Sequence, residues 1–249
     1  MTPYIAIPLI MAAGVALLLL GRRAGRREGA RLVRNPEVDR QLFYQPISVA
    51  VAAATVFGIS LLLPESANYF QVGALQMPVT GVSWMGIDPA ESWLTLGFTL
   101  GLMITAVTTV VVWLQARRRE ASDSRCLPRL FLLAIPFAFV NAAVEEAIFR
   151  IALCNALGAS LPMMSVALIS GLLFGLPHYF GHPGKLPGII LAGFLGWLLT
   201  LSVLQTGGIV WALALHFVQD QVIFTLLFAV AETTHTREAS SNAATDQQP

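Results

Sequence analysis

Long apolar stretches are the feature of this sequence that most restricts its fold. Seven runs of predominantly apolar residues follow one another along the chain, and each is close to the roughly 20 residues that an α-helix needs to cross a bilayer. They are Tyr4–Leu20, Ile47–Leu63, Trp93–Gln115, Leu130–Leu157, Pro162–Tyr179, Leu186–Leu204 and Gly208–Val230. The sequence therefore predicts an all-α, polytopic membrane helix bundle with about seven transmembrane helices.

The composition agrees with a lipid environment. Hydrophobic residues make up 56% of the chain and charged residues only 12%, whereas soluble domains carry about 25% charged residues. A soluble globule could not bury so much apolar surface, so an ordinary cytosolic enzyme, a secreted disulfide scaffold and a disordered chain are excluded. Membrane lipid is the expected surroundings and partner, and a net charge of +1 gives no reason to expect nucleic acid.

The placement of arginine predicts the orientation in the membrane. The first and third connections hold 12 of the 15 Lys and Arg residues, whereas the second connection, residues 64–92, holds none. Basic connections stay in the cytoplasm. We therefore expect a multi-pass protein of the plasma (inner) membrane, with its N-terminus outside and its C-terminus in the cytoplasm.

We expect three parts along the chain. Residues 1–129 form an N-terminal membrane region with three transmembrane helices and two Arg-rich cytoplasmic loops, and residues 130–230 form a second helix bundle. Residues 231–249 are rich in Ser, Thr, Ala and Gln and are expected to be a disordered tail. The fourth apolar run is longer than one span requires and contains Pro136, so an interfacial or kinked helix is expected near residues 125–136.

Two glycine pairs have the GxxxG spacing that brings membrane helices close together. They are Gly97 with Gly101, and Gly171 with Gly175. Close helix packing accounts for both pairs without a special function.

Six ionisable residues lie inside apolar helices of the second half: Glu145, Glu146, Arg150, His178, His216 and Asp220. A charged side chain at a helix centre costs about 2.5–3.5 kcal/mol on insertion scales, so these residues should face the bundle interior and meet there. A lone histidine or a lone Glu–Arg pair is commonly structural. Convergence from three helices instead favours a catalytic site, because carboxylates and imidazoles can activate water and stabilise an oxyanion.

Helical spacing separates the roles of neighbouring side chains. Glu146 and Arg150 are four residues apart and can pair on one helix face, as can His216 and Asp220. Glu145 lies about 100° around the helix from Glu146 and is free to point elsewhere.

Three short motifs contain these residues, in the order EExxxR at 145–150, FxxxH at 174–178 and HxxxD at 216–220. In them the sequence resembles the CAAX prenyl protease 2 and bacteriocin-processing (CPBP, or ABI) family of intramembrane proteases. The resemblance covers about residues 130–230, which would be the catalytic helix bundle. It implies endopeptidase activity on a membrane-associated peptide or protein.

The resemblance also implies residue roles. Glu145 would be the general base that activates the attacking water, and His178 would help to hold that water. Glu146 and Arg150 would form a supporting ion pair.

His216 and Asp220 would occupy the oxyanion-stabilising positions. Prenyl-processing members of the family commonly carry Asn where this chain has Asp220. An ionised Asp cannot donate a hydrogen bond to an oxyanion, so Asp220 is either protonated or orients His216.

Cofactor use has two alternatives. Glu145, His178 and His216 could form an open zinc site with water as the fourth ligand. Because the chain has no HExxH motif, we favour glutamate-activated water with no metal and no required cofactor.

The function also has alternatives. A transporter or proton pathway uses buried Glu, His and Asp equally well, and a non-catalytic membrane scaffold could keep the same fold. A transporter needs access from both membrane faces, whereas a protease needs one closed water pocket with a substrate entrance. For the protease, we expect a cavity that opens toward the cytoplasm.

Overall fold

The structure is a computed structural model that describes residues 3–26, 32–63, 68–117, 126–181 and 184–245. Helices dominate this part of the chain, and it contains no β-strand longer than the isolated bridge between Pro78 and Ser92. The α-helices are α1 (Ala6–Gly25), α2 (Pro36–Leu62), α3 (Trp93–Arg117), α4 (Leu127–Glu146), α5 (Leu153–Leu157), α6 (Met163–Gly175), α7 (Lys185–Thr206) and α8 (Val210–Thr245). A π-helical segment, Ala147–Ala152, joins α4 to α5, and a 3₁₀ helix, Leu176–Phe180, follows α6.

Seven helical stretches of the described residues are long and apolar enough to cross a membrane. Each overlaps one of the seven predicted runs, although the second, Pro36–Leu62, begins well before the predicted Ile47. The fourth joins α4, the π-helical segment and α5 into the continuous stretch Leu127–Leu157. The prediction of an all-α, polytopic helix bundle is confirmed, and the chain is a multi-pass integral membrane protein.

The segment near residues 125–136 is the start of the long α4 helix. Pro136 lies inside α4, and Leu130 and Ala134 are buried in a cluster with Phe224 and Phe228 of α8. From Leu127 onward, this segment is therefore part of the bundle and not a separate interfacial helix.

Helix α8 is longer than the last predicted span. It continues to Thr245 and so includes most of the segment, residues 231–249, for which the sequence predicts disorder. Ala, Glu and Arg, which occur in this segment, favour helix, and a helix already nucleated in the packed bundle is easy to extend.

The glycine pairs lie where helices approach most closely. A Cβ on Gly171 would lie 2.8 Å from the carbonyl oxygen of Gly193 on α7. A Cβ on Gly175 would lie 2.8 Å from the Cα of Gly193. On α3, a Cβ on Gly97 would overlap the indole of Trp211 on α8. Both GxxxG pairs therefore act through close packing, as the spacing predicts.

The connection between α2 and α3 is folded against the turn between α7 and α8. The amide of Ala74 donates to the carbonyl of Thr206 at 2.8 Å, and the amide of Ile209 donates to the carbonyl of Gln71 at 2.9 Å. The buried Trp93 donates its indole N–H to Gln205 Oε1 at 3.0 Å. These contacts cover this end of the bundle.

Replacing Gly171 with Ala should destabilise the bundle by about 1–3 kcal/mol, because a new methyl group would be pressed against backbone that cannot move aside. The measurement is thermal unfolding of the purified protein in detergent micelles. Gly58→Ala is the matched control, since no atom lies within 4 Å of a Cβ at that position. Equal melting temperatures for the two variants would contradict the close-packing account.

Candidate active site

The six predicted site residues come from four elements. Glu145 and Glu146 end α4, Arg150 lies in the π-helical segment, His178 lies in the 3₁₀ helix after α6, and His216 and Asp220 lie on α8. Departures from regular α-helix occur at two of these places, Ala147–Ala152 and Leu176–Phe180. Such departures are frequent at functional sites because they change the direction of individual side chains.

Glu146 is the centre of a buried polar cluster. Its Oε1 lies 3.0 Å from Arg150 Nη1 and accepts a hydrogen bond of 2.8 Å from His216 Nδ1. The side chains of Glu146 and Arg150 are only 1% and 0% exposed. The pairing predicted from the spacing is therefore present, and it also joins α4 to the histidine of α8. Opposite charges in contact offset part of the cost of burying each one.

Phe174 connects the three motifs. The Arg150 guanidinium lies 4.1 Å from the centre of the Phe174 ring, a cation–π contact. The His178 ring is 4.7 Å from the same ring centre, and the His216 ring meets it edge-on at 5.5 Å. Both histidines and the arginine are thus positioned by one buried aromatic side chain.

Glu145 faces the opposite ring nitrogen of His216 from Glu146, in keeping with the roughly 100° offset between the two glutamates. Its Oε1 accepts a hydrogen bond from Asn141 Nδ2 at 3.2 Å, and its Oε2 lies 3.6 Å from His216 Nε2. The Oε2 atom is buried and has no hydrogen-bond partner among the described residues. His216 therefore stands between the two glutamates, with one ring nitrogen toward each.

Asp220 lies on the same side of His216 as Glu145. Its Oδ2 is 3.7 Å from His216 Nε2 and accepts a hydrogen bond of 3.0 Å from Asn141 Nδ2. The Asn141 amide thus binds both carboxylates that face the imidazole. We did not identify Asn141 from the sequence, although a polar residue one helical turn before Glu145 in an apolar run was an available signal.

The His178 ring is held by a backbone carbonyl four residues earlier in the chain. Its Nδ1 lies 2.7 Å from the carbonyl oxygen of Phe174. A carbonyl oxygen only accepts, so Nδ1 carries the proton and Nε2 of the neutral ring has a free lone pair. Within the described part of the chain, the His178 ring makes no hydrogen bond to the other five predicted residues.

A cavity of about 790 Å³ brings part of this set together. Glu145, His178 and Asp220 line it, together with Asn141 and Phe174. Glu146, Arg150 and His216 do not line it and lie behind its wall. Three of the six residues therefore border the cavity. Glu146 and Arg150 support them from behind, and His216 lies between, with its Nε2 facing the two carboxylates that line the cavity.

Helices outside the predicted catalytic bundle complete the cavity. Gly14 and Leu17 of α1, and Gln41 and Tyr44 of α2, are among its lining residues. The N-terminal membrane region therefore contributes directly to the site. This contribution could not be predicted from the motifs, because all of them lie after residue 144.

The side chains of the site can be compared with those that hold a metal ion. In the ranges that the structure describes, no three His, Cys, Asp or Glu side chains are grouped as metal ligands. The hydrogen bond from His178 Nδ1 to the Phe174 carbonyl leaves Nε2 of that ring free, so it does not decide against the alternative zinc set of Glu145, His178 and His216. Metal-free hydrolysis therefore stays a prediction.

Comparison with known proteins addresses the family. Residues 127–233 match the family described as Rce1-like, type II CAAX prenyl endopeptidase. Neither a curated protein nor a solved structure matches the chain. The matched segment begins with α4 and contains all three motifs. The resemblance to CAAX-type membrane proteases that the motifs indicate is therefore confirmed, and it extends over residues 127–233.

Proposed function

We propose that this protein is an intramembrane endopeptidase that hydrolyses a peptide bond of a membrane-associated peptide or protein with water activated by Glu145. One observation carries the proposal: Glu145, His178 and Asp220, from three separate membrane-spanning stretches, border a single cavity of about 790 Å³. The family match to CAAX-type proteases supports the reaction class.

Glu145 is suited to act as the general base. One of its oxygens is held by Asn141, and the other, Oε2, is a buried acceptor without a hydrogen bond in the described structure. In the proposed first step, a water molecule attacks the scissile carbonyl carbon while Glu145 takes one of its protons. His178 has an unprotonated Nε2 that can accept a hydrogen bond from the second O–H of that water and so orient it. General-base catalysis of this kind contributes roughly 10²–10⁴-fold to the rate.

His216 is suited to stabilise the oxyanion of the tetrahedral intermediate. Its Nδ1 donates to Glu146, which fixes the ring, and its Nε2 faces the carboxylates of Glu145 and Asp220. If Nε2 carries a proton, this N–H would donate a hydrogen bond to the oxygen that becomes negatively charged. In the last step Glu145 returns its proton to the leaving amine as the C–N bond breaks.

For Asp220 we propose the orienting role. Its Oδ2 already accepts a hydrogen bond from Asn141 and lies near the His216 imidazole. An ionised carboxylate in that place favours a protonated His216 Nε2 by electrostatic attraction. Asp220 would thereby act through His216 without donating to the oxyanion itself.

The distribution of cavities favours a protease over a transporter. A second cavity of about 490 Å³ lies beside α2 and is lined by Ser60, Asn68 and Asn155, among others. The two cavities have no lining residue in common, so they do not form a continuous path. We therefore propose access from one side, the cytoplasmic side, because the site cavity reaches Arg22, Arg26 and Arg40 around the basic first connection.

Glu145→Gln should lower peptide hydrolysis by at least about 100-fold, because an amide cannot take a proton from water. Its folding should change little, since Gln keeps the oxygen that accepts from Asn141. The measurement compares membrane peptides from cells carrying the native protein or the variant, and a precursor that accumulates identifies the substrate. Full cleavage by this variant would overturn the assignment of the base.

Glu146→Gln should act through stability. It leaves the fully buried Arg150 guanidinium without its charge partner, which costs about 3–5 kcal/mol for a buried pair. The melting temperature in detergent should fall well below that of Glu145→Gln, together with activity. Glu145→Gln, one residue away, is the matched control, and equal melting temperatures would argue against separate roles.

Metal independence is tested on the purified protein. We expect elemental analysis to find no stoichiometric zinc and a chelator to leave hydrolysis unchanged. Stoichiometric zinc that is lost together with activity would instead favour Glu145, His178 and His216 as its ligands.

A further inference from the structure

Helix α1 forms one wall along the length of the site cavity. Gly14, Leu17, Gly21, Gly25 and Arg26 line it at helical spacing, along with their neighbours on the same face. A Cβ on Gly14 would lie 3.4 Å from the ring of Phe149, four residues after Glu145 in sequence, so this part of α1 borders the catalytic segment. From Gly14 to Arg26 the helix rises about 18 Å.

Arginines line the far end of this wall. Arg22 and Arg26 of α1 and Arg40 of α2 all line the cavity. Arg40 is compensated, because its Nε and Nη2 both donate to Glu37. No carboxylate of the described residues pairs with Arg22 or Arg26 within ion-pair distance. Two uncompensated positive charges therefore border the cavity at this end.

Arg22 contacts the 3₁₀ helix that carries His178. Its guanidinium lies over the ring of Phe180 at 4.4 Å, two residues after His178. A cation–π contact uses the face of the guanidinium and leaves the N–H groups in its plane free to donate. This contact joins α1, which lies outside the family match, to the segment that carries His178.

The cavity is thus acidic at one end and basic at the other. Glu145 and Asp220 border the reaction end, and Arg22 and Arg26 lie about 12 Å and 18 Å along α1 from the level of Gly14. An extended peptide advances about 3.3–3.6 Å per residue. The arginines therefore lie about three to five residues of extended chain from the level of Gly14.

We propose that Arg22 and Arg26 bind a carboxylate of the substrate at the basic end of the cavity. This inference rests on the proposed function and adds a determinant of substrate choice to it. The carboxylate could be the C-terminus of the substrate or the side chain of an Asp or Glu, since both present the same negatively charged group. Arg fits either one, because its planar fork can donate two parallel hydrogen bonds to a carboxylate.

The test is peptide binding to the full chain in micelles of a neutral detergent, on the Glu145→Gln background so that no hydrolysis occurs. The probes are fluorescent apolar peptides in matched pairs: a free C-terminal acid and its amide, and an internal Asp and its Asn counterpart. We expect one acid form to bind about tenfold more tightly than its neutral partner, with an advantage that falls as salt increases. The pair that discriminates identifies the source of the carboxylate.

Substitution then locates the effect. In the double variant Arg22→Gln, Arg26→Gln, the ratio of acid to neutral affinity should fall close to one. Arg23→Gln is the matched control: it removes the same charge from the same turn of α1 at a residue that does not line the cavity, and it should keep the ratio. Measuring affinities avoids dependence on turnover.

Three outcomes would overturn the inference: equal binding of both members of each pair, an equal loss in the Arg23→Gln control, or loss of the acid preference when phosphatidylglycerol is added. The last would mean that lipid phosphate occupies the arginines. None of these results tests whether Glu145 is the general base. That assignment is tested by measuring cleavage with the Glu145→Gln variant. Conversely, cleavage by that variant would remove the proposed mechanism while leaving the binding ratios interpretable.

Discussion

The buried pairing of Glu146 with Arg150 and His216 is the interaction on which the rest of the site depends. Charges inside a membrane protein are costly unless they meet opposite charges or hydrogen-bond partners. Here one carboxylate oxygen contacts the guanidinium at 3.0 Å and the imidazole at 2.8 Å. Because that contact fixes one nitrogen of His216, the other is directed at Glu145 and Asp220. The contact that offsets the cost of burying Glu146 thus also orients His216, the residue that we propose stabilises the oxyanion.

A second constraint is close packing around Phe174. The aromatic ring contacts Arg150, His178 and His216, and its helix can approach α7 because glycines occupy the contact. Bulkier residues there would move α6 outward and carry Phe174 and His178 with it. The packing of small residues and the positions of the site residues are therefore parts of one arrangement.

The family match begins at α4, whereas the cavity does not end there. Helices α1 and α2 provide one side of the cavity and all three arginines at its far end. Site residues within 127–233 thus share one cavity with side chains of the N-terminal helices. On the proposed function, the reaction and the choice of substrate belong to different stretches of the chain.

Much of this architecture follows from the sequence. Hydrophobic length predicted all seven spans, since a bilayer demands a minimum run of apolar residues, and helical spacing predicted the Glu146–Arg150 pair and the separate direction of Glu145. Spacing acts only within one helix, however. Three features depend instead on how separate helices pack. They are the pairing of each His216 nitrogen with its glutamate, the bridging amide of Asn141, and the arginines of α1 beside the cavity. These contacts join residues that are distant in sequence, so tertiary structure alone decided them.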